Sequence, residues 1–282
     1  MIAKFLREQN FNPVILIRGY KAQRCERTAG TKISDEAEML KKSLTAVPVL
    51  VGADRVANAR AALEGKTMVD VFLLDDGFQH FPIQRDLDIV AIDAVNPFGN
   101  RWLIPAGILR EPLQALARAK IFVITKSDIG QKNIPAIRQE ILKNNPQAWI
   151  AEAVHQPEFL ESLTGKETIA LSQLRGKKVC SLCSIGSPQS FAATLESLGA
   201  ELQKSFAFMD HHWYARAELE EIFAYCQSQQ INWIVTTAKD AVKLTRLREI
   251  PAPVQILVLN IHLKIVKGQD EFFNRILAIL QR

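Results

Sequence analysis

Short β-branched runs alternate with helical patterns along almost the whole of this 282-residue sequence. The apolar runs predict strands at 14–17, 48–51, 69–74, 88–93, 120–125, 178–183, 232–237 and 255–260. Apolar residues at three-to-four spacing predict helices near 35–45, 54–64, 134–144, 188–199, 216–230 and 269–281, and MIAKFLREQNFNP predicts one more at the start. Such alternation is typical of a mostly parallel sheet flanked by helices. We therefore expect an α/β fold.

Pro, Asn and Gly break this pattern between about 145 and 175. A chain with 48% hydrophobic residues is long enough for one large core or two smaller ones. We infer two α/β lobes, 1–150 and a smaller one at 151–282.

Composition excludes several classes of protein. No apolar run approaches the roughly 18 residues of a membrane span, and MIAKFLREQN is too polar for a secretory signal, which favours the cytosol. Cys180 and Cys183 form a C-x-x-C, but they lie on a predicted buried strand, facing opposite sides, and no second pair completes a metal site.

Positive charge is concentrated at the start of the chain. The net charge is only +5, yet residues 1–32 hold seven Lys or Arg against Glu8 and Glu26. A basic segment suits phosphate or an anionic membrane surface, and a solvated basic face without a partner is an equal alternative.

The stretch VFLLDDGFQH, residues 71–80, carries the most chemistry. Asp75 and Asp76 follow an apolar strand, where open α/β sheets place their ligands, and a carboxylate there can hold Mg²⁺ and through it nucleotide phosphates, as in a Walker B motif. A strand-end Asp that only caps a turn is the simpler alternative. Gly77 permits a sharp exit, and Gln79 and His80 offer hydrogen bonds to a polyhydroxylated substrate.

The sequence resembles the tetraacyldisaccharide 4'-kinase family, the lipid A 4'-kinases of Gram-negative bacteria. The resemblance rests on motifs in the family's order over nearly the whole chain: IRGYK at 17–21, SDEAEML at 34–40, GADR at 52–55, DDGFQH at 75–80, LIPAGILREPL at 103–113, ITKSD at 124–128, SIGSPQSF at 184–191, MDHHWY at 209–214 and TTAKDAVKL at 236–244. It implies a P-loop NTPase-like fold and transfer of the ATP γ-phosphoryl group to the 4'-hydroxyl of an acylated glucosamine disaccharide 1-phosphate, with ATP and Mg²⁺ as cofactors.

The resemblance also implies roles for individual residues. Asp75 and Asp76 would serve Mg²⁺, and Asp35 with His211 would form a base relay for the sugar hydroxyl, which suits an imidazole oriented by a carboxylate. The expected substrate-binding residues are Arg18, Tyr20, Arg55, Gln79, His80 and Arg110. Lys239 and Asp240 follow a predicted strand, where they would hold the nucleotide or simply cap the next helix.

Several of these residues have simpler readings. Ser34 or Asp35 would cap the helix that follows, and Arg110 would form a surface ion pair with Glu111. The neighbour of His211 is His212, and the residues alone do not choose between the two. Lys126 and Asp128 in TKSD partly match the guanine-reading loop of GTPases.

One part of the family pattern is missing. Family members carry a Gly-rich phosphate loop ending in Gly-Lys-Thr just before the helix that begins here, and an N-terminal amphipathic or membrane-spanning helix that anchors them. The first lobe is therefore expected to lack its first strand and phosphate loop, and residues 1–282 alone are expected to be a poor kinase. Either a start assigned too late or a genuine short form would explain this.

The resemblance implies further expectations about partners. The chain would act at the cytoplasmic face of the inner membrane as a peripheral monomer, with no nucleic acid bound. Another P-loop transferase or GTPase is the alternative enzyme. A lipid-headgroup binding module without catalysis, built on the Arg, Tyr and His residues, is the alternative from a different class.

Overall fold

The computed structural model describes residues 1–19, 23–24, 32–33, 35–65, 68–245 and 250–281. Tyr20 lies outside these ranges. The backbone of Asp35 is inside them and its side chain is not.

Strands and helices alternate through the described chain as the sequence predicts. The strands are β1 (Pro13–Ile17), β2 (Gln23–Arg24), β3 (Lys32–Ile33), β4 (Val49–Val51), β5 (Val71–Leu74), β6 (Ile89–Asp93), β7 (Ile121–Thr125), β8 (Trp149–Ser162), β9 (Thr168–Ile169), β10 (Lys178–Cys183), β11 (Glu201–Ala207), β12 (Trp233–Thr237) and β13 (Gln255–Lys267). The helices are α1 (Ile2–Glu8), α2 (Asp35–Ser43), α3 (Arg55–Glu64), α4 (Ile134–Asn144), α5 (Pro188–Ser197), α6 (Arg216–Ser228), α7 (Ala238–Leu244) and α8 (Gln269–Leu280). The α/β prediction is confirmed.

The chain divides into two compact units that are interleaved in sequence. Unit 1 comprises 1–14, 56–156 and 262–282, and unit 2 comprises 15–55 and 157–261. This division differs from the contiguous lobes, 1–150 and 151–282, expected from the sequence. The reason is that β8 and β13, at 14 and 13 residues, each run through both units.

Unit 1 is built around parallel strands β6, β7 and β8. Ile89 of β6 pairs with Ile121 of β7, which pairs with Trp149 of β8. Strand β7 is apolar along its length because both of its faces are covered. Phe122 packs in a cluster with residues of α4, and Val123 packs in a second cluster with residues of α1 and α8.

Unit 2 holds a parallel sheet in the order β11-β10-β12-β13. Cys180 and Cys183 of β10 are fully buried in different core clusters, one containing residues of α6 and the other residues of α5. The expectation that these thiols face opposite sides of a buried strand is confirmed, and burial raises the pKa of the Cys183 thiol to about 12. In the same unit β1 pairs with β4, and α2 packs against α7.

No helix among the described residues combines the length and the apolar character that a membrane crossing requires.

Candidate functional site

The paired carboxylates of unit 1 lie directly after β5. Asp75 and Asp76 are both exposed, and Asp76 has a positive φ of 50°, so the chain reverses as soon as the strand ends. Gly77 is required here because a Cβ at this position would lie 2.6 Å from the Cβ of Leu74. The strand, the turn and the glycine together present two carboxylates at a sheet edge.

Arg110 donates a hydrogen bond from Nη1 to Oδ2 of Asp76. Both side chains are 57% exposed, so water screens the pair and its contribution to stability is small. The surface ion pair with Glu111, considered from the sequence, is not what forms. The Arg110 guanidinium is exposed and lies beside a carboxylate that is expected to hold a metal. From this position it can contact a phosphate group.

Gln79 is held by a carboxylate from a distant part of unit 1. Its Nε2 donates to Oε1 of Glu111 at 3.0 Å, and Glu111 also accepts two hydrogen bonds from Arg118, at 2.6 and 2.8 Å. The bonds from Arg118 hold the pKa of Glu111 below its usual value despite partial burial. Because a carboxylate only accepts, the amide of Gln79 turns its NH₂ to Glu111 and keeps its oxygen as an acceptor.

Arg118 also supports the turn itself. Its guanidinium lies 4.2 Å from the ring centroid of Phe78 and donates to the Phe78 carbonyl at 3.2 Å, while Arg85 donates to the carbonyl of His80. Sequence reasoning missed Arg118, because the contact joins residues 40 positions apart and LQALAR has no motif. His80 is half-buried within this turn.

His211 of unit 2 lies beside a cation and a carboxylate. The Nζ of Lys239 is 3.3 Å from Nε2 of His211 and donates to Oδ1 of Asp210 at 2.9 Å. Burial opposes ionisation of Asp210, but Lys239 outweighs it and the pKa of Asp210 is lowered. An ammonium group can only donate, so in this contact Nε2 of His211 is the acceptor, which corresponds to the tautomer with its proton on Nδ1. Oδ2 of Asp210 lies 3.8 Å from the same ring nitrogen.

His212 has a different environment. Its Nε2 lies 2.9 Å from Oε2 of Glu218, and its ring stacks on Phe208 with centroids 4.8 Å apart. The same Glu218 oxygen accepts the backbone N–H of Ala215 at the start of α6. His212 is thus engaged in holding a helix start, and His211, with its positive φ of 66°, is the imidazole beside Lys239.

Asp240 is fully buried, unlike the nucleotide contact expected from the sequence. Its Oδ2 accepts hydrogen bonds from the Ser184 backbone N–H at 3.0 Å and the Thr237 hydroxyl at 2.8 Å. Its Oδ1 accepts from the Ser184 hydroxyl at 2.5 Å and from Lys243 Nζ at 3.1 Å. In this conformation the carboxylate ties together the end of β12, α7 and the residue after β10.

This network sets the ionisation of Asp240. Burial alone would raise the pKa of its carboxyl, but the Ser184 hydrogen bonds and the charge of Lys243 lower it. Lys239, the preceding residue, is partly exposed and stays a candidate for the nucleotide or phosphate.

The remaining predicted residues of unit 2 have separate settings. Arg18 is exposed directly after β1, as a phosphate contact requires. Arg55 begins α3 and is only 3% exposed, so in this conformation it offers little surface to a ligand. Asp35 is the first residue of α2, the helix that packs on α7, so the elements that carry Asp35 and Lys239 are neighbours.

The TKSD segment of unit 1 carries an ion pair of its own. Lys126 Nζ lies 2.6 Å from Oδ2 of Asp93, across the ends of β7 and β6. A lysine held in this way joins two strand ends, and nothing in its contacts adds to the partial match with the guanine-reading loop.

A family model described as Tetraacyldisaccharide-1-P 4'-kinase matches residues 1–281. The chain belongs to this family. Among curated tetraacyldisaccharide 4'-kinases, the protein of Syntrophus aciditrophicus is 34% identical, over 100% of this chain and 79% of its own length. That of Halothermothrix orenii is 36% identical, over 87% of this chain and 69% of its own length.

A solved member of the family has a similar structure. The crystal structure of the "apo" form of LpxK from Aquifex aeolicus, in complex with ATP, has a TM-score of 0.66 and 25% identity, covering 99% of this chain and 82% of that one. The membership expected from the motifs is confirmed.

Proposed function

We propose that this protein is an ATP-dependent kinase of lipid A biosynthesis, which phosphorylates the 4'-hydroxyl of tetraacyldisaccharide 1-phosphate. The family match over residues 1–281 carries this proposal. The geometry supports it, because phosphoryl transfer needs charge neutralisation and positioning, and the chain provides exposed carboxylates, cations and an imidazole at strand ends.

Asp75 and Asp76 are suited to Mg²⁺. The described residues contain no group of three or more His, Cys, Asp or Glu side chains that could hold a metal. Mg²⁺ does not need one, since it is usually bound by one or two carboxylates together with water and substrate phosphates. Bound there, the ion would neutralise the phosphates of ATP, and Arg110 would turn from Asp76 to phosphate.

Asp35 and His211 are proposed as the base that takes the proton of the sugar hydroxyl. Support comes from unit 2, where α2 packs on α7 and Lys239 of α7 contacts the His211 ring. An imidazole held in position by neighbouring groups can accept a proton in the transition state, and for this Lys239 would give up its contact with Nε2 to the sugar hydroxyl.

The proposed substrate contacts are exposed cationic side chains and the turn after β5 that contains Gln79. Arg18, Arg110 and Lys239 would bind phosphate groups, and Gln79 and His80 would hydrogen-bond the disaccharide, with Tyr20 and Arg55 kept from the family pattern. As the family resemblance implies, we propose that the reaction takes place at the cytoplasmic face of the inner membrane, since an acylated substrate needs a membrane surface, and that the protein acts there as a peripheral monomer.

The test is transfer of labelled phosphate from ATP to tetraacyldisaccharide 1-phosphate. Asp75→Asn should lower the rate by about a hundredfold or more, since it removes a metal ligand. Asp86→Asn, an exposed carboxylate of the same unit, is the matched control and should not.

Three results would contradict parts of this proposal. Equal rates for the two Asp variants would remove the metal role of Asp75. Preference for GTP over ATP would favour another P-loop enzyme. A binding module without catalysis would be indicated by a third result. Disaccharide binding would then be lost in Arg110→Ala, be unchanged in Asp75→Ala, and have the same affinity with and without nucleotide.

A further inference from the structure

A buried charged cluster in unit 2 contacts the backbone of the chain at His211. Asp240 and Lys243 have fully buried side chains, and the fully buried Ser184 is bonded to both, since it donates to Asp240 and accepts from Lys243 at 2.6 Å. Removing two charges from water is costly, and an apolar pair of similar volume is often as stable or more so. Hydrophobic packing alone does not explain why the cluster is charged.

The cluster is attached to His211 through its backbone. The carbonyl of Ser184 accepts the backbone N–H of His211 at 3.4 Å, and the Ser184 hydroxyl lies 3.4 Å from the carbonyl of His212. His211 has a positive φ, which a residue other than glycine keeps only where its surroundings determine it. Ser184 thus contacts the backbone on both sides of the histidine ring.

The cluster is also connected to Lys239, the residue that contacts the His211 ring. Asp240 follows Lys239 in α7, and the Asp240 carboxylate is fixed by Ser184, Thr237 and Lys243. Fixing Asp240 fixes the first turn of α7, from which Lys239 reaches Nε2 of His211. Both the backbone and the ring of His211 therefore depend on one buried carboxylate and one serine.

We propose that Ser184 and Asp240, with Lys243, are positioning residues that set the orientation and tautomer of His211. The catalytic consequence rests on the base role of His211 in the proposed function. Hydrogen bonds to a buried charge are directional, so they specify the positions of the bonded groups more closely than apolar contacts do. In this proposal the charges of the cluster hold the geometry of His211.

Ser184→Ala tests this proposal against a matched serine, Ser181, on strand β10, which ends directly before Ser184. Ser181 is also fully buried, and its hydroxyl donates to Ser205 at 2.8 Å rather than to Asp240. Each variant loses one buried hydroxyl, and only Ser184→Ala loosens the cluster. Asp240→Asn, which keeps the shape of the side chain, is a second variant should Ser184→Ala fail to fold.

The first measurement is the tautomer of His211 by ¹⁵N NMR of the histidine rings, assigned with His211→Gln. We expect protonation on Nδ1 in the parent chain and in Ser181→Ala, and a several-fold increase in the other tautomer in Ser184→Ala. Equal tautomer populations in the two serine variants would overturn the proposal.

The second measurement is kcat and KM in the phosphoryl-transfer assay. Ser184→Ala should lower kcat on the order of tenfold with KM for both substrates within about twofold, because small misplacements of a reacting group cost rate. An altered tautomer with unchanged kcat would overturn the catalytic part of the proposal. The tautomer comparison needs no phosphoryl transfer, so it supports or overturns the positioning of His211 independently of the proposed function.

Discussion

Replacing Lys243 with Met should be among the most damaging single changes in unit 2. Lys243 Nζ lies 3.1 Å from Oδ1 of Asp240, with both side chains fully buried. Two unit charges at that separation attract by about 5 kcal/mol at an effective dielectric constant of about 20. Lys243→Met keeps the length of the side chain but leaves the Asp240 charge without its counter-charge, and breaking such a pair typically costs about 3–5 kcal/mol.

The assay is urea unfolding followed by far-UV circular dichroism, with thermal melting beside it. At roughly 2–4 °C per kcal/mol for a large domain, we expect the melting temperature to fall by about 6–20 °C. Adding Asp240→Asn removes the orphaned charge, so the double variant should recover a large part of the loss. Arg216→Met is the control, because Arg216 is 92% exposed in its pair with Glu220 and should cost well under 1 kcal/mol.

A loss below about 1 kcal/mol in Lys243→Met would refute the reasoning, since the Asp240 charge would then be compensated by other means. A double variant no more stable than Lys243→Met would also contradict it. In that case the ammonium group would act through packing and hydrogen bonds rather than through its charge.

Three further predictions concern other parts of the chain. Gly77→Ala places a Cβ 2.6 Å from the Cβ of Leu74, so it should lower the free energy of unfolding by about 1–3 kcal/mol and weaken Mg²⁺-dependent ATP binding. Gly65→Ala is the control: its added Cβ would make ordinary contacts of 3.4 Å, and ATP binding should be unchanged. Because Arg118 lowers the pKa of Glu111, the ion pair should stabilise the fold above about pH 4.5 and lose that contribution as the pH falls through the lowered pKa. The urea unfolding midpoints of the parent chain and of Glu111→Gln should therefore converge in acid. A difference that stays constant with pH would count against a stabilising pair. Binding to vesicles that contain anionic lipid should weaken as salt rises, and binding that ignores ionic strength would exclude an electrostatic role for residues 1–32.

Most helices and strands of the fold were predictable from the sequence. Apolar runs and apolar residues at three-to-four spacing show which side chains of a segment are buried, and this pattern is local. Strand β10 was predicted at its observed bounds, 178–183. Strand β8 was missed, since it contains Gln156 and Pro157, which are typical of a loop, and its burial pattern does not alternate regularly. Strand β11 was missed because ELQKSFA is largely polar and exposed at the edge of its sheet.

The site was predictable only where residues carry a motif. DDGFQH predicts the carboxylates and Gln79 as site residues, and for the two histidines of MDHHWY only the family resemblance selects His211. The structure distinguishes their surroundings, since Lys239 contacts His211 and Glu218 contacts His212. Hydrogen bonds such as these join residues far apart in sequence, and the burial of Asp240 depends on three separate segments; neither leaves a local pattern.

The interleaving of the two units bears on the order in which this protein folds. Leu6 of α1 and Phe272 of α8 belong to one core cluster of unit 1, so that core closes only after most of the chain has been synthesised. Unit 2 draws on 15–55 and 157–261 and has its residues available earlier. On the ribosome, unit 2 is therefore expected to become protected first, while α1 and the strands of unit 1 keep apolar surface exposed until α8 emerges, a period in which chaperones would hold them.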